Sequence, residues 1–95
     1  MTVSAENNRL ALSGPVVIQT LKSLQTEGLA RIAAGDLVVD MKDVTEADST
    51  AVSLLMELRR AAATHSRKLS VVNMPDNVRS LARLYGVTEL LPAEA

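Results

Sequence analysis

The sequence predicts a small α/β domain, a mixed β-sheet with helices packed mainly on one face. Two short, mostly β-branched runs, Leu37-Val38-Val39-Asp40-Met41 and Leu69-Ser70-Val71-Val72, read as strands. Longer segments around them repeat apolar residues at helical spacing, and the two patterns alternate along the chain. With 95 residues there is room for one domain, 1–95, and one core, filled almost entirely by aliphatic side chains.

The elements follow in order. Arg9 to Leu12 alternates weakly and is preceded by the turn-tolerant Glu6-Asn7-Asn8. A hairpin from Thr2 to Leu12 is therefore expected, ended by the breaker Ser13-Gly14-Pro15. Ile18 to Ala34 reads as a helix in which Leu21, Leu24 and Ile32 share a face. Gly28 costs about 1 kcal/mol of helix propensity against Ala and is expected to bend or break it. The two β-branched runs carry the pattern of central strands covered on both faces. Between them, from about Ser49 to His65, Ala51, Leu54, Leu55, Leu58, Ala61 and Ala62 recur at i, i+3, i+4 and i+7, the clearest amphipathic helix of the chain. A third helix runs from Pro75, suited to a helix start, through Val78, Leu81, Ala82 and Tyr85 to Gly86, suited to the position just past a helix end. Right-handed crossovers then gather the helices on one face of the sheet.

Composition narrows the function by exclusion. Ten Lys and Arg against eleven Asp and Glu leave a formal net charge of -1, so no global field draws the chain to phosphate backbones or anionic lipid. Tyr85 is the only aromatic residue; the stacking platform for unpaired bases is missing, and no nucleic-acid partner is expected. The absence of cysteine and the single His argue against a disulfide framework, a thiolate zinc site and a multi-histidine site, so neither metal nor other cofactor is expected. The polar start from Met1 to Asn8, and the lack of any run near the ~20 apolar residues of a membrane span, lead to the expectation of a cytoplasmic protein. A core this small spares no cavity for two acyl chains, which argues against a lipid carrier.

Candidate functional residues collect where the first β-branched run passes into the second helix. The segment Asp43-Val44-Thr45-Glu46-Ala47-Asp48-Ser49-Thr50 makes that join, and its end lies beyond a strand's carboxyl edge, where sites collect in open α/β sheets. Asp48 or Ser49 can accept a bond from a backbone N–H one turn on, and the free N–H groups there favour negative charge, so Ser49 is placed to hold a phosphate. The simpler reading is that the pair is only a helix cap. Val52 and Met56 fall beside the core set and widen the apolar stripe; either they serve a partner or they reach the flank of a neighbouring helix. His65-Ser66 lacks a nucleophile elbow and an orienting carboxylate. Asp40, Asp43 and Glu46 match no metal-ligand spacing, and Arg59-Arg60 with Arg67-Lys68 read as solvated surface. No catalytic set is found, and the chain reads as non-enzymatic.

Val38-Val39-Asp40-Met41, Asp48-Ser49-Thr50-Ala51 and Leu81-Ala82-Arg83-Leu84-Tyr85-Gly86-Val87 resemble the STAS domain, the family named for sulphate transporters and anti-sigma-factor antagonists. The likeness runs from about Leu10 to Pro92. The short length, the Leu10-Ala11-Leu12-Ser13-Gly14 opening and the Leu-Ala-Arg-Leu-Tyr ending make the chain most similar to the MlaB-like STAS subunits of phospholipid ABC transporters. The resemblance implies that Ser49 occupies the position of the Ser or Thr that the antagonists phosphorylate and that MlaB-like proteins use in contacting the transporter ATPase; Asp48 matches the acidic residue before it. Ala51 departs from the antagonist pattern, where a Gly is usual, which leaves the backbone less open to close approach by a kinase active site.

Two roles follow from the resemblance. In one, Asp48, Ser49, Thr50, Val52, Ser53 and Met56 form an interface with an ABC transporter ATPase subunit, and membrane association comes only through that complex. In the other, an anti-sigma-factor serine kinase phosphorylates Ser49 and so switches the contact. A weak homodimer through an exposed strip at Val52 and Met56 is a further expectation.

Overall fold

The computed structural model describes residues 8–90 and 93–94. Strand and helix alternate as β1 (Arg9–Val16), α1 (Ile18–Ala34), β2 (Leu37–Ala47), α2 (Ser49–Thr64), β3 (Leu69–Val72) and α3 (Asp76–Leu84), followed by a 3₁₀ turn (Thr88–Leu90) and a two-residue β4 (Ala93–Glu94). The strands lie in the order β1-β2-β3-β4, and each of the three pairings is parallel. Each sheet neighbour is also the next strand in sequence, so every crossover carries one helix. A right-handed path then puts the three helices on the same face. The expected α/β architecture is the observed one. The antiparallel pair that makes a sheet mixed was expected from the hairpin Thr2 to Leu12, whose first half lies outside the described residues; its second half, in β1, pairs in parallel with β2.

One face of the sheet supplies the core. Leu10, Leu12 and Val16 of β1, Leu37, Val39 and Met41 of β2, and Leu69 and Val71 of β3 are all buried there. The two-residue period of a strand sends Arg9, Ala11 and Ser13 to the other face, where Val38, Ser70 and Val72 are only half-buried. The reading of β2 and β3 as covered on both faces is thereby corrected: with all crossovers on one side, no described helix lies over the second face. That face carries a polar staple instead. Asp40 accepts hydrogen bonds from Arg9 Nη2 at 2.8 Å, from Asn73 Nδ2 at 2.9 Å and from the Lys42 backbone N–H at 2.9 Å. It joins β1, β2 and the turn after β3, and these three donors, the Asn73 amide first, hold its carboxyl down at about 2.

Three local expectations change in the tertiary context. Ser13-Gly14-Pro15 does not end β1, which runs on to Val16 across two register shifts, with Gly14 at φ 76° where a side chain would be strained. Nor does Gly28 break α1; the helix is continuous and Gly28 is buried against Leu58 of α2. And β2 extends through Asp43 to Ala47, because β1 continues alongside it and pairs Gly14 with Val44 and Val16 with Ala47. The 3₁₀ turn and β4 had no periodic signal in the sequence, being three and two residues long.

At the amino edge of the sheet, side chains close the helix ends. Asn8 donates from Nδ2 to the Arg31 and Asp36 carbonyls, both at 2.9 Å, and Arg67 donates from Nη2 to the Ala33 carbonyl at 3.1 Å. The carboxyl edge, where β2 enters α2, holds the candidate site.

Candidate docking site

β2 delivers Asp48 just beyond its last residue, in extended conformation at φ -130°. Its Oδ1 accepts from the Thr50 N–H at 2.8 Å, so Asp48, rather than Ser49, is the N-cap. That backbone bond is the main reason its carboxyl sits below the usual carboxylate range. Ser49 is the first residue of α2 and is exposed, while Thr50 is half-buried. Across the edge, Asn77 Nδ2 donates to the Ala47 carbonyl at 2.9 Å and ties the start of α3 to the end of β2.

α3 packs beside α2 through its buried Val78 and Ala82, and a groove of about 440 Å³ runs along α2 below Tyr85, the residue just past α3, lined by Ser49, Val52, Ser53, Met56, Arg60 and Tyr85. Val52 is 5% exposed and forms its floor rather than an exposed strip, since Val52 packs into the core. Met56 is half-buried beside it, and Ser49 and Ser53 are exposed on the rim. A second depression, lined by Asp48, Ser49, Asn77, Ser80, Leu84 and Tyr85 among others, opens on the other side of Ser49. Ser49 and Tyr85 thus stand on the ridge between the two. Leu84 at 76% and Tyr85 at 52% are among the large apolar side chains left exposed.

Of the residues singled out in the sequence, Ser49, Val52, Ser53 and Met56 line one groove, and Asp48 borders the second depression. Thr50 is drawn to them through the cap rather than by lining either. Sequence reasoning missed Arg60, Leu84 and Tyr85. The signal for Arg60 was its position four residues after Met56; for Tyr85 it was being the sole aromatic residue. Elsewhere, His65 stands at the C-cap of α2, with its N–H donating to the Ala61 carbonyl at 3.0 Å. Asp40 is engaged by Arg9 and Asn73, and among the described residues no group of three or more His, Cys, Asp or Glu is placed to hold a metal.

The arrangement defines a small parallel α/β domain with an apolar-floored groove at the carboxyl edge of its sheet. A family model described as "Mlab, STAS domain" matches residues 1–92, and the chain belongs to the STAS domain family. STAS domains in general act by binding other proteins. Two solved structures share the fold. The anti-sigma factor antagonist SpoIIAA in its unphosphorylated form aligns with a TM-score of 0.72 at 13% identity, over 92% of this chain and 78% of that one. A putative anti-sigma factor antagonist from Thermotoga maritima aligns with a TM-score of 0.76 at 11% identity, over 92% of this chain and 79% of that one. No curated protein matches the sequence. Among the described residues no helix is long and apolar enough to cross a membrane.

Proposed function

We propose that this chain is a non-catalytic STAS subunit that binds and supports the cytoplasmic ATPase of a phospholipid ABC transporter of the Mla type, one that serves outer-membrane lipid asymmetry. The observation that carries the reading is the groove at the start of α2, where Ser49, Val52, Ser53 and Met56 come together on one helix face. The match to the MlaB-like family model supports the choice of partner. The bond from the Thr50 N–H to Asp48 caps the start of α2, so that Ser49 is presented to the ATPase at the first helical position. The chain then reaches the inner membrane through the assembled transporter. The test is the affinity of the purified chain for the transporter ATPase, with ATP hydrolysis as a second readout. Ser49→Arg, at an exposed site, is expected to abolish binding while leaving the fold intact; undiminished binding would count decisively against this reading.

A second reading, an antagonist controlled by phosphorylation at Ser49, is favoured by one observation. Ser49 is exposed at the first position of α2, where the positive end of the helix dipole stabilises added negative charge. Mass spectrometry of the Ser49 peptide from native cells decides it. Phosphate there, with loss of partner binding on modification, supports the switch; its persistent absence across growth conditions excludes it.

A further inference from the structure

Resting on the docking role just proposed, we infer that the groove between α2 and α3 selects an acidic, aliphatic segment of its partner, with Arg60 as the charge-reading residue and Tyr85 as the packing wall. Ser49, Val52, Ser53, Met56 and Arg60 fall on one stripe of α2, at i, i+3, i+4, i+7 and i+11, and all line the groove. At 1.5 Å per residue the stripe is about 16 Å long, the length of three helical turns. Its chemistry changes along that length. At the middle are a valine floor and a half-buried thioether, flanked by the Tyr85 ring, the only aromatic surface of the chain. At the far end is a guanidinium.

Among the described residues no carboxylate forms an ion pair with that guanidinium. The ion pairs among the described residues are Arg9 with Asp40 and Arg31 with Glu27, and Glu57, one turn before Arg60, is hydrogen-bonded to Gln25 instead. Arg60 is exposed, and among the described residues no carboxylate lines the groove with it. A partner segment lying along α2 therefore gains from an aliphatic side chain over Val52 and Met56 and from a Glu or Asp about one turn further on. A Lys or Arg at that place is rejected by the charge. Such a rim pair tunes association rate and partner choice more than total affinity, whereas Tyr85, an amphipathic ring over an apolar floor, supplies the buried contact.

The experiment measures binding of the purified transporter ATPase to the full chain and to Arg60→Glu, Arg60→Gln, Tyr85→Ala and Ser49→Arg, at low and at physiological salt. Circular dichroism confirms the fold of each variant. Arg60→Glu is expected to weaken binding about tenfold or more, chiefly by slowing association, with Arg60→Gln intermediate and both less salt-sensitive than the native chain. Tyr85→Ala is expected to speed dissociation. Loss of binding in Ser49→Arg with no change in Arg60→Glu would overturn this inference alone and leave the docking role standing. Absence of ATPase binding by the native chain would overturn both. Arg60-dependent retention of the chain on phosphatidylglycerol vesicles, with ATPase binding unaffected by Arg60→Glu, would assign the guanidinium to a lipid surface and likewise overturn the inference.

Discussion

Gly28 of α1 and Leu58 of α2 meet so closely that a Cβ added to the glycine would lie 2.7 Å from Leu58 Cδ2 and 3.2 Å from its Cδ1. Leu58 is fully buried, with little room to withdraw. In Gly28→Ala the gain of about 1 kcal/mol in helix propensity opposes an overpacking cost of about 1–3 kcal/mol. The variant is expected to be less stable than the native chain by roughly 1 kcal/mol in urea unfolding. Leu58→Ala should make the same glycine substitution favourable, because the propensity gain then stands unopposed. A double-mutant cycle in which the two changes simply add would refute this account of the contact.

The acid limb of stability is set in part by Asp40. Its folded pKa is depressed from 3.8 to about 2, so its contribution is fully present above the ordinary value and is lost as pH falls through the depressed one. Asp40→Asn is expected to lower stability at neutral pH by about 1–3 kcal/mol and to flatten the loss between those two pH values. The urea midpoint of both proteins, followed against pH, checks this. Parallel curves would show that the staple of Arg9, Asp40 and Asn73 does not act through the carboxylate charge.

Asn8 closes the end of α1 with two donors from one amide, to the Arg31 and Asp36 carbonyls. Asn8→Ala removes both bonds at a largely buried position and is expected to cost about 1–3 kcal/mol. Asn8→Asp should cost more despite its near-identical shape, since a carboxylate would face two carbonyl oxygens. Equal destabilisation by the two substitutions, in thermal melts at neutral pH, would mean that shape rather than hydrogen bonding matters there.

Ser49→Asp separates the stability of the helix from docking. A carboxylate on the first residue of α2 meets the positive end of the helix, so the melting temperature should hold or rise slightly. Binding to the ATPase should fall roughly tenfold, because a carboxylate on the rim beside Val52 would lose hydration when the partner's apolar side chain covers the groove. Ser49→Ala, neutral and small, should bind nearly as the native chain does. Tighter binding by Ser49→Asp would instead indicate a basic partner surface at this end of the groove.

Much of this arrangement was legible in the sequence, where the information is local. The period of Ala51, Leu54, Leu55 and Leu58 defined α2, and the β-branched runs defined the cores of β2 and β3. Asp48 and Ser49 announced a capped helix start at a strand's carboxyl edge, and most of the candidate interface followed from its spacing along one helix. The residues that resisted were those whose role depends on a neighbour distant in the chain.

Gly28 read as a weak point because propensity concerns a single helix, whereas its function is to admit Leu58 from another. Asp43 to Ala47 read as a connection because three of the five, Asp43, Thr45 and Glu46, are polar; they became strand because β1 runs beside them and pairs with their backbone. Tyr85 and Arg60 line one groove because α3 packs beside α2 through its buried Val78 and Ala82. The sequence by itself thus determined the three helices, the cores of β2 and β3 and where the candidate site was sought, since hydrophobic period and capping act over one or two turns, while the one-faced core emerged only from the crossovers. Only the tertiary structure decided how deep the groove is and what walls it, because two helices crossing at a strand edge bring together side chains that no local pattern relates.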